Sequence, residues 1–125
     1  MKARIAVLLM SALCGAVLLA GQQPTGAPVY TADQAASGRT AYEANCAACH
    51  LPDLGGRNEA PQLAGTDFMN TWRSRSTQDL FEFMQATMPP GGPSLPEATY
   101  LAIASYVLQQ NGAASGAQAF AANTA

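Results

Sequence analysis

The chain is short and carries few charges for its length. Its 125 residues suffice for one small domain; only 11% are charged, and the formal net charge is −2 at pH 7. This composition excludes a nucleic-acid-binding surface, which needs clustered lysine and arginine, and the lack of a second long apolar run excludes a polytopic membrane protein.

Residues 1–21 have the pattern of a secretory signal. Lys2 and Arg4 precede sixteen uncharged residues, 5–20, in the order of a positive n-region and an apolar h-region. We expect removal of this segment and a periplasmic location for the rest, which keeps four arginines, no lysine and eight acidic residues, a net charge of −4. The alternative is a retained anchor that faces the periplasm, although the run is short for a spanning helix.

The next segments predict a linker, a helix and a loop. Two prolines and a glycine in residues 22–30 are typical of a linker. Thr31 and Gln34 form a capping-box pattern, which predicts a helix over residues 32–45. Several prolines and glycines then predict a long loop over residues 51–65.

Two shorter helices are predicted in the middle of the chain. Thr66 is a candidate N-cap for a short helix over about residues 66–73. Ser76 and Asp79, three residues apart, predict a second helix over about residues 77–87.

The C-terminal part predicts one long helix and a tail. Ser94 and Glu97 form a further capping-box pattern, and the helix is expected to run to about Gln110. Residues 113–125 are rich in alanine, glycine and serine, which predicts a disordered tail. No strand is predicted, so the expected fold is all-α, with three main helices and one or two short ones.

One motif carries chemistry, the run Cys46-Ala47-Ala48-Cys49-His50. The C-x-x-C-H spacing matches the covalent attachment of a c-type haem. On a helical turn the two cysteines share a face, so each thiol can add to one of the two haem vinyl groups. The histidine that follows can then reach the iron, and the small alanines leave room for the ring. The motif therefore predicts one covalent haem c, around which the helices pack.

The two cysteines allow three other interpretations. A structural zinc site needs four ligands, but outside the motif the chain has no further histidine and only Cys14, which is expected to leave with the signal. A thioredoxin-like dithiol needs a strand–helix context that is not predicted. A disulfide between residues three apart is strained and closes almost no loop.

The second axial iron ligand is expected to be a methionine, because His50 is the only histidine. Met88 is the preferred candidate, since it stands at a helix end before two prolines and two glycines that hold the backbone away from helical geometry. Met84 comes next, although we expect Met84 and Met69 to belong to the core. Histidine–methionine ligation leaves no open site on the iron and favours electron transfer over oxygen chemistry.

On these residues the sequence resembles the monohaem class I cytochromes c. The resemblance covers about residues 32–112, and we assign the cytochrome c domain to residues 31–112. Gly38 and Tyr42 precede the motif as a glycine and an aromatic do in that family, where they pack against an aromatic of the C-terminal helix. Tyr106 is the corresponding aromatic here, so the two helices are expected to cross near Gly38 and Tyr106.

The resemblance also implies further haem contacts. In the family a proline carbonyl accepts the proton on Nδ1 of the haem histidine, which implies this role for Pro61 toward His50. Leu63 would cover the haem, and Met88-Pro89 matches the family's ligand loop. The resemblance thus implies cofactor contacts for Cys46 and Cys49 in addition to these residues, with the iron held by His50 and Met88.

Two features of the surface are less closely tied to the family pattern. One of Trp72, Arg73 and Arg75 is a candidate for contact with the haem propionates, the alternative being a solvated helix end beside a core tryptophan. The chain departs from family members that dock through a ring of lysines, since no lysine is left after residue 21. We therefore expect a small, largely apolar docking patch at Leu51, Pro52 and residues 89–93, typical of transient redox partners.

The function expected from the motif and the resemblance is that of a one-electron carrier, not an enzyme. Its partners would be redox proteins that donate and accept electrons, with no nucleic acid and no membrane contact unless the N-terminal segment is retained. One alternative is a cytochrome subunit of a larger dehydrogenase or oxidase complex. The other is a haem enzyme or sensor with an open sixth position on the iron.

Overall fold

The structure is a computed structural model that describes residues 26–91 and 94–123, so the predicted signal segment lies outside the described residues. Five helices, and no strand, lie within these ranges: α1 (Ala32–Asn45), α2 (Ala47–His50), α3 (Thr66–Trp72), α4 (Thr77–Thr87) and α5 (Glu97–Gln110). The prediction of an all-α fold with three main and additional short helices is confirmed. Among the described residues, no helix has the length and apolar character needed to cross a membrane.

The N-termini of α1 and α4 are held by the side chains that the sequence pattern indicates. The Thr31 hydroxyl accepts a hydrogen bond from the Gln34 backbone. Ser76 and Asp79 form a complete capping box, in which the Asp79 N–H donates to the Ser76 hydroxyl at 3.0 Å and the Ser76 N–H donates to the Asp79 carboxylate at 2.8 Å. The Asp79 carboxylate accepts hydrogen bonds from the Ser76 N–H and from the Ser76 hydroxyl, both at 2.8 Å, and these two bonds hold the pKa of Asp79 below its ordinary value. Both helices keep their predicted bounds.

The start of α5 differs from the prediction. The helix begins at Glu97 after Pro96, and no side chain caps it. Ser94, the predicted cap, instead donates its backbone N–H to the Tyr100 hydroxyl at 3.2 Å. The N-cap position belongs to Pro96, whose carbonyl accepts the Tyr100 N–H at 3.2 Å. Ser94 therefore stands two residues before the cap, where it ties the preceding segment to the helix.

Helices α1 and α5 cross with their backbones almost in contact. A Cβ atom built on Gly38 would lie 1.8 Å from the carbonyl oxygen of Ala102, so only glycine fits at this position. One turn further along each helix, the rings of Tyr42 and Tyr106 lie 5.4 Å apart. The predicted crossing of the two helices is therefore present.

Two apolar clusters share α5 as their central element. The helix is buried from Tyr100 to Val107, which agrees with its being apolar all round. The first cluster is made of Tyr30, Ala35, Phe81, Tyr100, Leu101, Ala104 and Phe120. The second, nearer the C-x-x-C-H motif, is made of Tyr42, Leu54, Phe68, Leu80, Ile103, Tyr106 and Val107.

The prediction of a disordered tail over residues 113–125 is wrong for the part that the structure describes, which ends at residue 123. Phe120 is only 2% exposed, and its backbone exchanges two hydrogen bonds with the Gln34 side-chain amide, at 2.8 and 2.9 Å. Tyr30, assigned to the linker, is also buried and donates its hydroxyl proton to the carbonyl of Ala113. The prediction rested on the average composition of the segment, which does not reveal that one aromatic residue, Phe120, is buried.

Replacing Gly38 by alanine tests the helix crossing. We expect Gly38→Ala to lower the free energy of unfolding by about 3 kcal/mol, because the added methyl group must push two backbones apart. Gly26→Ala is the matched control, since a Cβ there meets nothing within 4 Å, and it should change stability by less than about 0.5 kcal/mol. Denaturant unfolding of both variants measures the difference, and equal stabilities would contradict the close crossing.

Replacing Phe120 tests whether the tail is part of the fold. Phe120→Ala should cost about 3–5 kcal/mol, as for a buried phenylalanine. Phe83→Ala removes the same side chain from a position that is 47% exposed, and it should cost about 1 kcal/mol through its aromatic contact. A Phe120→Ala variant as stable as the wild type in thermal unfolding would contradict the packed tail.

Candidate functional site

The C-x-x-C-H motif occupies one tight helical turn between α1 and the loop that follows. Cys46 is the C-cap of α1, and its N–H donates to the carbonyl of Tyr42 at 2.8 Å. Its own carbonyl accepts from the N–H of Cys49 at 3.1 Å and of His50 at 2.9 Å. The structure thus brings the three motif residues together on the turn formed by α2.

The two thiols are free but lie in different surroundings. Cys46 is half-buried against the second apolar cluster, whereas Cys49 is exposed. Burial, with a smaller contribution from Cys49, raises the pKa of the Cys46 thiol to about 11. This thiol is therefore protonated at neutral pH, unlike the activated thiolate of a dithiol oxidoreductase.

The four-ligand set that structural zinc needs is not found in the described part of the chain. There, no three side chains of histidine, cysteine, aspartate or glutamate lie close enough to hold a metal ion. Cys14, the remaining cysteine, lies outside the described residues.

His50 is buried and oriented by a backbone carbonyl. The residue is 7% exposed, and its Nδ1 lies 2.8 Å from the carbonyl oxygen of Pro61. A carbonyl can only accept, so Nδ1 carries the proton and donates it, which leaves Nε2 with a free lone pair. The contact implied for Pro61 is present, and it selects the tautomer that a metal-ligating histidine needs.

The loop after α2 folds back to deliver Pro61 to the histidine. The N–H of Gly56 donates to the His50 carbonyl at 2.9 Å, and Arg57 and Ala60 exchange two backbone hydrogen bonds of 2.9 Å each. Gly56 has a φ of +68°, and a Cβ there would lie 2.5 Å from the Ala60 carbonyl oxygen and 2.6 Å from the Pro61 carbonyl carbon. Glycine is therefore needed twice over, for its backbone angle and for the close approach.

Leu63 lies at the end of the same loop. It is half-buried beside the second cluster, and its N–H donates to the Leu54 carbonyl at 2.9 Å. Its carbonyl accepts from the Asn111 side-chain amide at 2.9 Å, and the Asn111 oxygen accepts from the Gly65 N–H at 3.0 Å. The sequence pattern predicted that α5 ends at about Gln110, but it did not predict that Asn111 ties this end to the loop.

Met88 belongs to a different hydrogen-bonded unit. It is the C-cap of α4 and has an extended conformation, with φ −124° and ψ 142°, and its N–H donates to the Met84 carbonyl at 2.9 Å. Its carbonyl accepts from the hydroxyl of the buried Tyr100 at 2.6 Å, so Tyr100 joins the segment to α5. The structure thus groups His50 with Pro61 and places Met88 on a separate, anchored segment.

The other two methionines have different surroundings. Met84 packs against both apolar clusters, as expected of a core residue. Met69 is 38% exposed, so the expectation that it belongs to the core is wrong. The reason is that α3 turns Phe68 inward instead.

Trp72, one of the three candidates for a contact with the haem propionates, packs among two aromatic rings and one arginine. Its ring stacks with Phe68 at 6.2 Å, meets Phe83 edge-on at 5.4 Å, and lies 5.1 Å from the guanidinium carbon of Arg75. The cation–π contact occupies one face of the indole. A role toward propionates remains a prediction for this residue and for Arg73 and Arg75.

The residues present fit a covalent haem c. Two free thiols stand three residues apart on one turn, and the histidine that follows has its Nδ1 engaged and its Nε2 available. Two thiols that can form thioethers with the haem vinyl groups, and a neutral imidazole that can bind the iron, are what a c-type haem with a proximal histidine requires. The Pro61 carbonyl supplies the kind of hydrogen bond that such sites use to fix a ligating histidine.

Comparison with known proteins gives one family. A family model described as cytochrome c oxidase, cbb3-type, subunit III matches residues 33–107, a range that contains the whole motif, Pro61 and Met88. No curated protein and no solved structure matches the chain significantly.

Replacing Gly56 tests the loop that holds Pro61. Gly56→Ala should lower the free energy of unfolding by about 2 kcal/mol more than Gly112→Ala, because the added methyl group meets the backbone of Ala60 and Pro61. Gly112 also has a positive φ, +87°, but a Cβ there meets nothing within 4 Å. Chemical unfolding of the two variants separates the contact from the backbone angle, and equal losses would contradict the close approach.

Proposed function

Because the chain belongs to the family of cytochrome c oxidase cbb3-type subunit III, whose domain is a class I c-type cytochrome domain, we propose that it transfers single electrons through one haem c. The observation that carries the proposal is the motif turn, with its two free thiols and a histidine whose Nδ1 is bound to a carbonyl. When bound, the haem supplies an iron that cycles between the ferric and ferrous states.

Each residue of the motif turn has a distinct part in this proposal. Cys46 and Cys49 would hold the haem covalently, one thioether each. His50 would bind the iron through Nε2, and the Pro61 carbonyl keeps the imidazole in the required tautomer and orientation. Leu63 would contribute apolar cover near the ring, where exclusion of water affects the potential.

Met88 is our proposal for the second axial ligand. The backbone of Met88 is fixed on both sides, because its N–H donates to the Met84 carbonyl and its carbonyl accepts from the Tyr100 hydroxyl. An oriented ligand needs such rigidity. Met84 is the less suitable candidate because it fills space between both apolar clusters. With histidine and methionine bound, no position on the iron is open to substrate, which supports electron transfer without catalysis.

The partners proposed are redox proteins that meet an apolar patch at Leu51, Pro52 and residues 89–93. Pro52, Pro90 and Gly91 are exposed, whereas Gly92 and Pro93 lie outside the described residues. Cys49, one of the two residues that would hold the haem, is also exposed. The patch carries no charge, so association here would depend weakly on salt.

A second candidate is the same electron transfer inside a larger complex. The family description, which names a subunit of an oxidase, favours it. Gel filtration of the natively expressed protein distinguishes the two forms, because a subunit elutes with its partners and a free carrier elutes alone. A periplasmic location, with residues 1–21 removed or retained as an anchor, is part of either proposal.

Replacing Met88 tests the proposed ligand set. In the oxidised haem protein, Met88→Ala should abolish the weak red absorption band of a sulfur–iron(III) bond and speed the binding of cyanide, because one axial position opens. Met69→Ala is the matched control, since Met69 is partly exposed and lies on another helix; its spectrum should equal that of the wild type. A red band that survives in Met88→Ala would contradict the assignment and point to Met84.

A further inference from the structure

Arg57 makes a contact with the motif turn that the proposed function does not use. Its Nη2 donates to the carbonyl of Ala48, which stands between the two cysteines. Helix α2 has only four residues, so its last carbonyls lack the helical partners that a longer helix would supply. A cationic side chain at the C-terminal end of a helix both satisfies such a carbonyl and suits the helix dipole.

The backbone of Arg57 holds the other side of the site. Its N–H and carbonyl pair with Ala60 at 2.9 Å each, and Ala60 precedes Pro61, whose carbonyl meets Nδ1 of His50 at 2.8 Å. Side chain and backbone together close a ring of contacts that runs from Ala48 through Arg57 and Ala60 to Pro61 and back to His50. Within this ring, the side chain of Arg57 contacts the motif turn and its backbone contacts Ala60, the residue before Pro61.

Among the described residues, the Arg57 guanidinium forms no ion pair with a carboxylate. The ion pair found in that part of the chain is that of Arg39 with Glu43 on α1. Arg57 itself is exposed, so its charge acts on the site only weakly through solvent. Its effect must therefore be mainly positional, through the hydrogen bond to the Ala48 carbonyl.

We infer that Arg57 is a positioning residue for the axial histidine: its side chain ties the motif turn to the loop and so keeps the Pro61 carbonyl on Nδ1 of His50. The inference rests on the proposed haem ligation by His50. Loss of the guanidinium lets the loop move away from the turn. The Nδ1 proton then becomes accessible to solvent, while the packing of α1 on α5 stays intact.

The test is the exchange of the His50 Nδ1 proton with solvent, followed by NMR in the reduced haem protein. Arg57→Ala should speed this exchange by at least about tenfold, since exchange requires local opening and one charge-assisted hydrogen bond is lost. Arg57→Lys retains a cationic donor and should exchange more slowly than Arg57→Ala. Arg39→Ala, which removes an exposed arginine from α1, should leave the rate unchanged.

The backbone amide of Ile103 on α5 reports on global stability in the same spectra. Its exchange should be equal in all four proteins. An unchanged Nδ1 rate in Arg57→Ala overturns the inference, as does an Ile103 amide accelerated by the same factor, which would show general loosening. If Arg57→Ala does not retain haem, the test rests on Arg57→Lys. A His50 Nδ1 exchange rate in Arg57→Lys that is ten or more times the wild-type rate counts against a role for the cationic donor.

The proposed function fails in a different way. A wild-type protein without covalent haem would overturn it, and the positioning role with it. Haem-loaded protein with unchanged Nδ1 exchange overturns only the role of Arg57.

Discussion

The contact between α1 and α5 at Gly38 and Ala102 is the constraint on which the rest of the structure depends. A glycine is required because the two backbones leave no room for a side chain. Helix α1 ends at the motif turn, and α5 contributes buried residues to both apolar clusters. Through Tyr100, α5 also anchors the segment of Met88. The crossing therefore sets where the two halves of the proposed iron site stand relative to each other.

The site itself is built from backbone carbonyls and N–H groups as much as from side chains. Pro61 acts on His50 through its carbonyl, and Gly56 through both its N–H and its lack of a side chain. Such contacts determine the tautomer and orientation of a ligand without placing a charge beside it. This arrangement suits an electron carrier, whose ligands must stay in place while the charge on the iron changes.

Local patterns predicted the helices and the motif turn well, since they depend on neighbouring residues. The capping box of Ser76 and Asp79 and the spacing of the two cysteines are of this kind. The role of Pro61 came only from the resemblance to cytochromes c. Long-range contacts such as that of Gln34 with Phe120 could not be predicted. A single polar or aromatic residue in a segment of small residues gives no periodic sequence pattern that would indicate its partner. The same holds for the side-chain bond of Arg57 to Ala48.

The central claim is that the motif turn binds one haem covalently, and the most direct measurement is the mass of the denatured protein. The chain would be produced in a host that attaches c-type haem and extracted under conditions that remove any non-covalent haem. The account predicts a mass increase of one haem, absent when Cys46 and Cys49 are both replaced by alanine. A chain without added mass, from a host that loads a control cytochrome, would contradict it.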